Sequence, residues 1–164
     1  MASSKDSVTV AVRVRPLLAR DKAEGARECL RKVAGEPQLV LGADRSFTFD
    51  HVFEPDEPNG AVYEACAREL VDGTLEGFNS TIFAYGQTGS GKTHTIMGTT
   101  SDRGIIPRLG ADLFERVEQA GESCAYVVTA TYLELYNEVV CDLLSPGSQG
   151  LKIRQHLKTG IYVE

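Results

Sequence analysis

The sequence predicts an α/β fold in which a central mixed β-sheet is flanked by helices, and three observations carry that expectation. Strand-like and helix-like runs alternate along the chain. A glycine-rich loop, Gly86-Gln87-Thr88-Gly89-Ser90-Gly91-Lys92-Thr93, stands between an apolar run and a segment that can be helical. The composition is that of an ordinary globular chain, 42% hydrophobic and 24% charged over 164 residues, with no internal repeat or low-complexity stretch.

The elements follow in order. Val8, Val10, Val12 and Val14 alternate with Thr9, Ala11 and Arg13, a strand closed by Pro16. Residues 19–28 are charged and small and read as loop. Residues 39–41 and 46–53 are two β runs around Gly42-Ala43-Asp44, a hairpin pattern that ends before Pro55 and Pro58. From Asn59 the period changes. Val62, Cys66, Leu70 and Leu75 fall at helical spacings, with Asn59 as N-cap and Gly77 as the stop. Residues 80–85 are apolar and β-branched and predict a buried strand running into the glycine loop. His94 to Met97 continues a helix as far as Gly98, and a polar loop follows to Gly104. Ile106, Leu109, Leu113 and Val117 mark another helix, which ends at Gly121. Residues 124–144 open as a long β-rich stretch with Val127, Thr129, Thr131 and Leu133 on one face. A Ser145-Pro146-Gly147-Ser148 turn leads to a last strand at residues 151–154, and residues 160–164 are again β-like.

The glycine loop has the full G-x-x-x-x-G-K-[ST] spacing, and each fixed position has a chemical task. Glycines let the backbone curl with its N–H groups inward, forming a nest of donors for phosphates. Lys92 brings a charge that reaches the β- and γ-phosphates, and the Thr93 hydroxyl is a ligand for the Mg²⁺ that accompanies a nucleotide. The sequence thus predicts binding of ATP with Mg²⁺. A hydrolase of this class also needs an acid at a strand end. No apolar run ends in Asp with Gly three residues later, and the nearest candidate, Asp142, reads as a surface residue at a helical end.

Bulk properties exclude several alternatives. A net charge of −6 argues against a general nucleic-acid surface. The apolar runs fall far short of the ~20 residues a membrane-spanning helix needs, and the N-terminal residues lack an apolar signal core, so an intracellular protein is expected. Cys29, Cys66, Cys124 and Cys141 are scattered, without metal-ligand spacing; Cys66 and Cys141 read as small core residues. His51 and His156 have no evident partner, whereas His94 adjoins the glycine loop.

Several segments together resemble the kinesin motor domain. They are Val12-Arg13-Val14-Arg15-Pro16, residues 47–53, residues 77–98 with the loop, Gly104-Ile105-Ile106-Pro107-Arg108, and Glu134-Leu135-Tyr136-Asn137-Glu138 with Asp142-Leu143-Leu144. The resemblance runs from Val8 to Glu164 in the family's order and spacing, and residues 1–7 read as a short extension. It implies a microtubule-activated ATPase of the cytoplasm and microtubule cytoskeleton. Gly86–Thr93 would hold ATP and Thr93 would ligate Mg²⁺. Arg13, Arg15 and Pro16 would line the adenine side, with His94 stacking on the base. Microtubules, that is tubulin, are the implied partner; membrane insertion and direct nucleic-acid binding are not. A homodimer joined by a coiled coil outside this chain is compatible with the family.

The family's two switch motifs do not occur in the sequence, so the chain is expected to be the N-terminal part of a motor domain and inactive by itself. Lys152, Arg154 and Lys158 are expected to be solvated surface charges. Residues 24–38 look most like the chromokinesin group, while residues 151–156 are similar to monomeric vesicle-transport kinesins. Two rival readings stay open: a nucleotide-binding module without turnover, and a small P-loop kinase of another family. The latter needs an arginine-rich lid, for which residues 99–110 offer only Arg103 and Arg108.

Overall fold

The core forms where a strand end and two amphipathic helices turn their apolar sides together. In the computed structural model, which describes residues 8–121, 124–158 and 160–164, Phe53, Val62, Tyr63, Ala67 and Ile105 are buried as one cluster. Cys66, Ile96 and Leu109 pack against it. The pairs Val62/Cys66, Tyr63/Ala67 and Ile105/Leu109 are one helical turn apart, so burial of a single face fixes the rotation of each helix.

The chain divides into one unit up to Gly121 and another from Glu122 onward. The first contains β1 (Ala11–Arg13), α1 (Ala19–Ala23), β2 (Leu30–Lys32), β3 (Gln38–Leu41), β4 (Arg45–Thr48) and β5 (His51–Phe53), then α2 (Asn59–Cys66), α3 (Arg68–Leu75), α4 (Lys92–Ile96) and α5 (Ile105–Gln119). β1 lies parallel to β5, with Val12 opposite Val52. Backbone bonds prolong this pairing, from Asp50 N–H to Val10 O and from Val14 N–H to Phe53 O, both 3.0 Å. β2, β3 and β4 form an antiparallel meander in that order. On the flank of the helices, Arg116 pairs with Asp72 and, at 2.8 Å, with Asp112, which also accepts the Tyr63 hydroxyl at 2.6 Å.

The second unit consists of two antiparallel pairs, β6 (Leu133–Tyr136) with β7 (Val139–Asp142) and β8 (Ile153–His156) with β9 (Gly160–Val163). Asn137 and Glu138 both have positive φ (48° and 61°), the geometry of a tight two-residue hairpin turn. Ser148 N–H closes the expected 145–148 turn on Ser145 O at 3.0 Å.

Several expectations are corrected. Residues 80–85 form no ladder among the described residues, and Phe83 (81%) and Tyr85 (90%) are exposed. Their rings stack on each other at 6.2 Å, so the alternation is present although no neighbouring strand converts it into a buried ladder. Residues 124–131 likewise carry no strand, and Val127 is exposed. The strands fall into four separate ladders among the described residues. Residues 19–28 contain a helix, α1, whose Leu18 N–H is accepted by Asp21 Oδ2 at 2.8 Å.

Asn59 is the first helical residue, not the cap; Pro58 holds that place. The predicted helix from Asn59 to Gly77 is two helices, parted at Ala67, with Gly77 in the left-handed region beyond the second. Asp142 ends a strand rather than a helix, and its Oδ1 accepts Leu144 N–H at 2.9 Å. Cys66 and Cys141 are half-buried, and burial pushes the Cys66 thiol pKa up. Arg154 is exposed and paired with Glu164 at 3.2 Å.

Candidate nucleotide-binding site

The glycine loop begins beyond residues 80–85 and opens directly into α4. Gly91, the residue before the helix, has φ +102°, a conformation only glycine adopts without strain. At Gly86 the constraint is space, since a Cβ there would overlap the Ser90 hydroxyl. The loop is therefore wound tightly enough that its first and fifth residues touch. Ser90 N–H closes it on Gln87 O at 3.1 Å. The Lys92 ammonium folds back over the ring and donates to Gly86 O at 2.6 Å and Gln87 O at 3.0 Å. Thr93 and His94, the next two residues, are exposed. A tight glycine-rich loop with an ammonium on its carbonyls and an exposed hydroxyl on the following residue fits a polyphosphate and its divalent ion.

What holds α4 in position is a buried polar hub. Asn59 is fully buried, 0% exposed, and its side chain is hydrogen-bonded to three segments, with both amide N–H groups donating and the oxygen accepting once. Nδ2 donates to His94 O and to Asp102 O, both at 3.0 Å, and Oδ1 accepts from Arg13 Nη1. Its backbone N–H goes to Asp102 Oδ2 at 3.0 Å, so an acid from a distant loop caps α2 in place of the absent side-chain cap. Arg13 completes the hub with bonds to Thr95 Oγ1 at 3.1 Å and Glu57 O at 2.8 Å. The end of β1 is thereby tied to the helix that carries Lys92 and Thr93.

The structure thus brings Arg13 to the residue following His94, its guanidinium engaged within the scaffold. Arg15 lies two residues on, with Nη2 bonded to Asp21 Oδ2 at 2.7 Å and Nη1 buried without a partner among the described residues. Pro16 is exposed. Arg108 is occupied by Arg103 O at 2.8 Å and Asp102 at 3.4 Å, so it braces the 98–104 loop and is not a free lid residue. Sequence reasoning missed Asn59, Asp102 and Thr95 as supports of the site. Their contacts span 35 to 82 residues of chain, and no local pattern signals such a contact.

A tight glycine loop that opens a helix and is braced by a strand end defines the P-loop class of α/β protein. Comparisons with known proteins narrow the class. The family model described as the kinesin motor domain matches residues 13–164, and the chain belongs to that family. Kinesin-like protein klp-12 of Caenorhabditis elegans is 44% identical over 91% of this chain and 10% of its own length. Human kinesin-like protein KIF21A is 45% identical over 87% of this chain and 9% of its own. The human chromosome-associated kinesin KIF4A is 39% identical over 95% of this chain and 13% of its own, in line with the chromokinesin likeness.

Solved structures agree on the fold. A fast kinesin superposes with a TM-score of 0.89 at 32% identity, over 96% of this chain and 46% of that one. A KIF14 dimer in complex with a microtubule gives 0.85 at 38% identity, over 96% and 48%. The chain therefore has the kinesin motor fold, and it spans about a tenth of the length of these curated relatives.

Proposed function

We propose that residues 8–164 form the ATP-binding part of a microtubule-based motor, preceded by a short extension at residues 1–7. In this reading Gly86, Gln87, Thr88, Gly89, Ser90 and Gly91 wrap the phosphates, Lys92 neutralises them, and Thr93 ligates Mg²⁺. Arg15 and Pro16 face the adenine side with His94. Arg13 acts at the same edge, holding β1 to α4 through Thr95 and Asn59. The single observation that carries the reading is the loop itself, closed around the Lys92 ammonium and continuous with α4.

Bound Mg·ATP supplies the phosphoanhydride whose hydrolysis drives movement along microtubules in the complete protein. The chain's own contribution is to bind and orient. The ammonium that rests on the Gly86 and Gln87 carbonyls exchanges those neutral acceptors for charged phosphate oxygens, which form stronger bonds. Tubulin is the proposed partner, and microtubules are the proposed location. The likeness to a KIF14 dimer seen on a microtubule supports both.

A second reading, nucleotide binding without turnover by the 164 residues alone, is favoured by one observation. The chain contains neither switch motif of the family, and loss of groups that position water and stabilise developing charge costs factors of roughly 10³ or more. Phosphate release against polymerised tubulin at low salt distinguishes the two. The protein carrying the whole motor domain should be stimulated and residues 1–164 should not. Nucleotide titration tests the shared premise. Lys92→Ala should weaken ATP by on the order of 100-fold or more, since two charge-assisted bonds are lost. Equal affinity of variant and parent would refute it.

A further inference from the structure

Arg20 is a charged group outside the loop motif that the fold nevertheless carries to the phosphate loop. It lies on α1, which the sequence alone reads as loop, and its Nη2 stands 3.5 Å from the point a Cβ on Gly89 would occupy. The guanidinium therefore stands beside the loop at Gly89. Gly89 has φ +77°, so the position favours glycine on conformational grounds.

Asp21 orients the guanidinium. Its Oδ2 accepts Leu18 N–H at 2.8 Å and Arg15 Nη2 at 2.7 Å, and its Oδ1 lies 3.6 Å from Arg20 Nε. One carboxylate thus anchors two guanidiniums and neutralises only one of them. With Lys92 on the loop carbonyls, two cations stand at the loop, in a chain whose net charge is −6. A local excess of positive charge within an acidic molecule focuses the field on that point.

We propose that Arg20 is a second cation of the phosphate site, outside the G-x-x-x-x-G-K-[ST] pattern, which draws nucleoside di- and triphosphates to the loop in proportion to their charge. The proposal rests on the nucleotide-binding reading of Gly86–Thr93. Arg20 is two-thirds exposed, its side chain 66% accessible, so its effect is screened by salt and falls mainly on the association rate.

The test is stopped-flow binding of fluorescent ATP and ADP analogues to the full chain at several ionic strengths. Arg20→Ala should slow ATP association roughly 3- to 10-fold at low salt, ADP less, with the difference shrinking as salt rises. Arg20→Lys should restore most of the rate, and the melting temperatures of all three proteins should coincide. A structural role would instead give a salt-independent loss that lysine does not rescue. That result, or Arg20→Ala within twofold of the parent at low salt, overturns the proposal. Lys92→Ala run in parallel separates the two premises. If it binds like the parent, the nucleotide site itself is misassigned; if it fails while Arg20→Ala is unaffected, only the role of Arg20 falls.

Discussion

Truncation of Asn59 to alanine is the most informative perturbation, because this residue joins β1, α2, α4 and the 98–104 loop while touching no proposed ligand. The magnitude follows from what each partner keeps. Arg13 Nη1 retains Thr95 Oγ1, and Asp102 O retains Thr99 N–H at 2.9 Å, so neither is left wholly unpaired. Arg13 does lose a charge-assisted bond, worth roughly 1.5–3 kcal/mol, and His94 O loses its side-chain donor in a part-buried setting at roughly 1–3 kcal/mol. The backbone N–H bond to Asp102 survives any substitution except proline. The sum is roughly 2.5–6 kcal/mol, which puts the fall in Tm on the order of 10 °C for a chain of this size. Urea unfolding of the parent, Asn59→Ala, Arg13→Ala and the double variant measures it. The two single losses should be non-additive by roughly 1 kcal/mol or more, since they remove the same bond. Asn59→Ala within 1 kcal/mol of the parent, or strict additivity with Arg13→Ala, would refute the idea that this hub fixes α4.

Other outcomes follow from the same structure. Thr93→Asn should weaken nucleotide binding in Mg²⁺ far more than in a chelator, as titration in the two buffers will read. Gly86→Ala should lower ATP affinity, because its methyl group must displace the Ser90 hydroxyl; titration alongside Gly110→Ala, where space is open, provides the comparison. Glu57 is held below the ordinary glutamate range by Glu54 N–H and then by Lys32. It therefore stabilises the fold above about pH 4.3, and melting curves should show that contribution lost as pH falls below this value. Tyr63 is shifted the other way, upward, by burial and then by its bond to Asp112. Its contribution is present below about pH 10 and should fade as pH rises further, a loss that Tyr63→Phe should lack. With Phe83, Tyr85, Val127 and Leu157 exposed, the isolated chain should bind a hydrophobic dye strongly. A sharp melt with negligible dye binding would contradict this.

The sequence by itself determined the class of protein and the position of its phosphate-loop pattern. The spacing from Gly86 to Thr93 is local, and backbone sterics at glycine act within a few residues, so the loop and its helix were legible without any long-range information. Helical periodicity from Ile106 located α5 for the same reason, and from Val62 it marked as one helix the span that forms α2 and α3. The tertiary structure decided what no local pattern encodes. Whether residues 80–85 form a strand depends on a neighbour to pair with, and among the described residues none does. Asn59 looked like a cap because its residue type caps helices. Its burial beneath Arg13, His94 and Asp102 is set by contacts 35 to 46 residues away. Arg20 looked like a loop charge until α1 carried it to Gly89. Hydrogen-bond satisfaction and charge proximity are properties of assembled space, and they appear only once the chain has closed on itself.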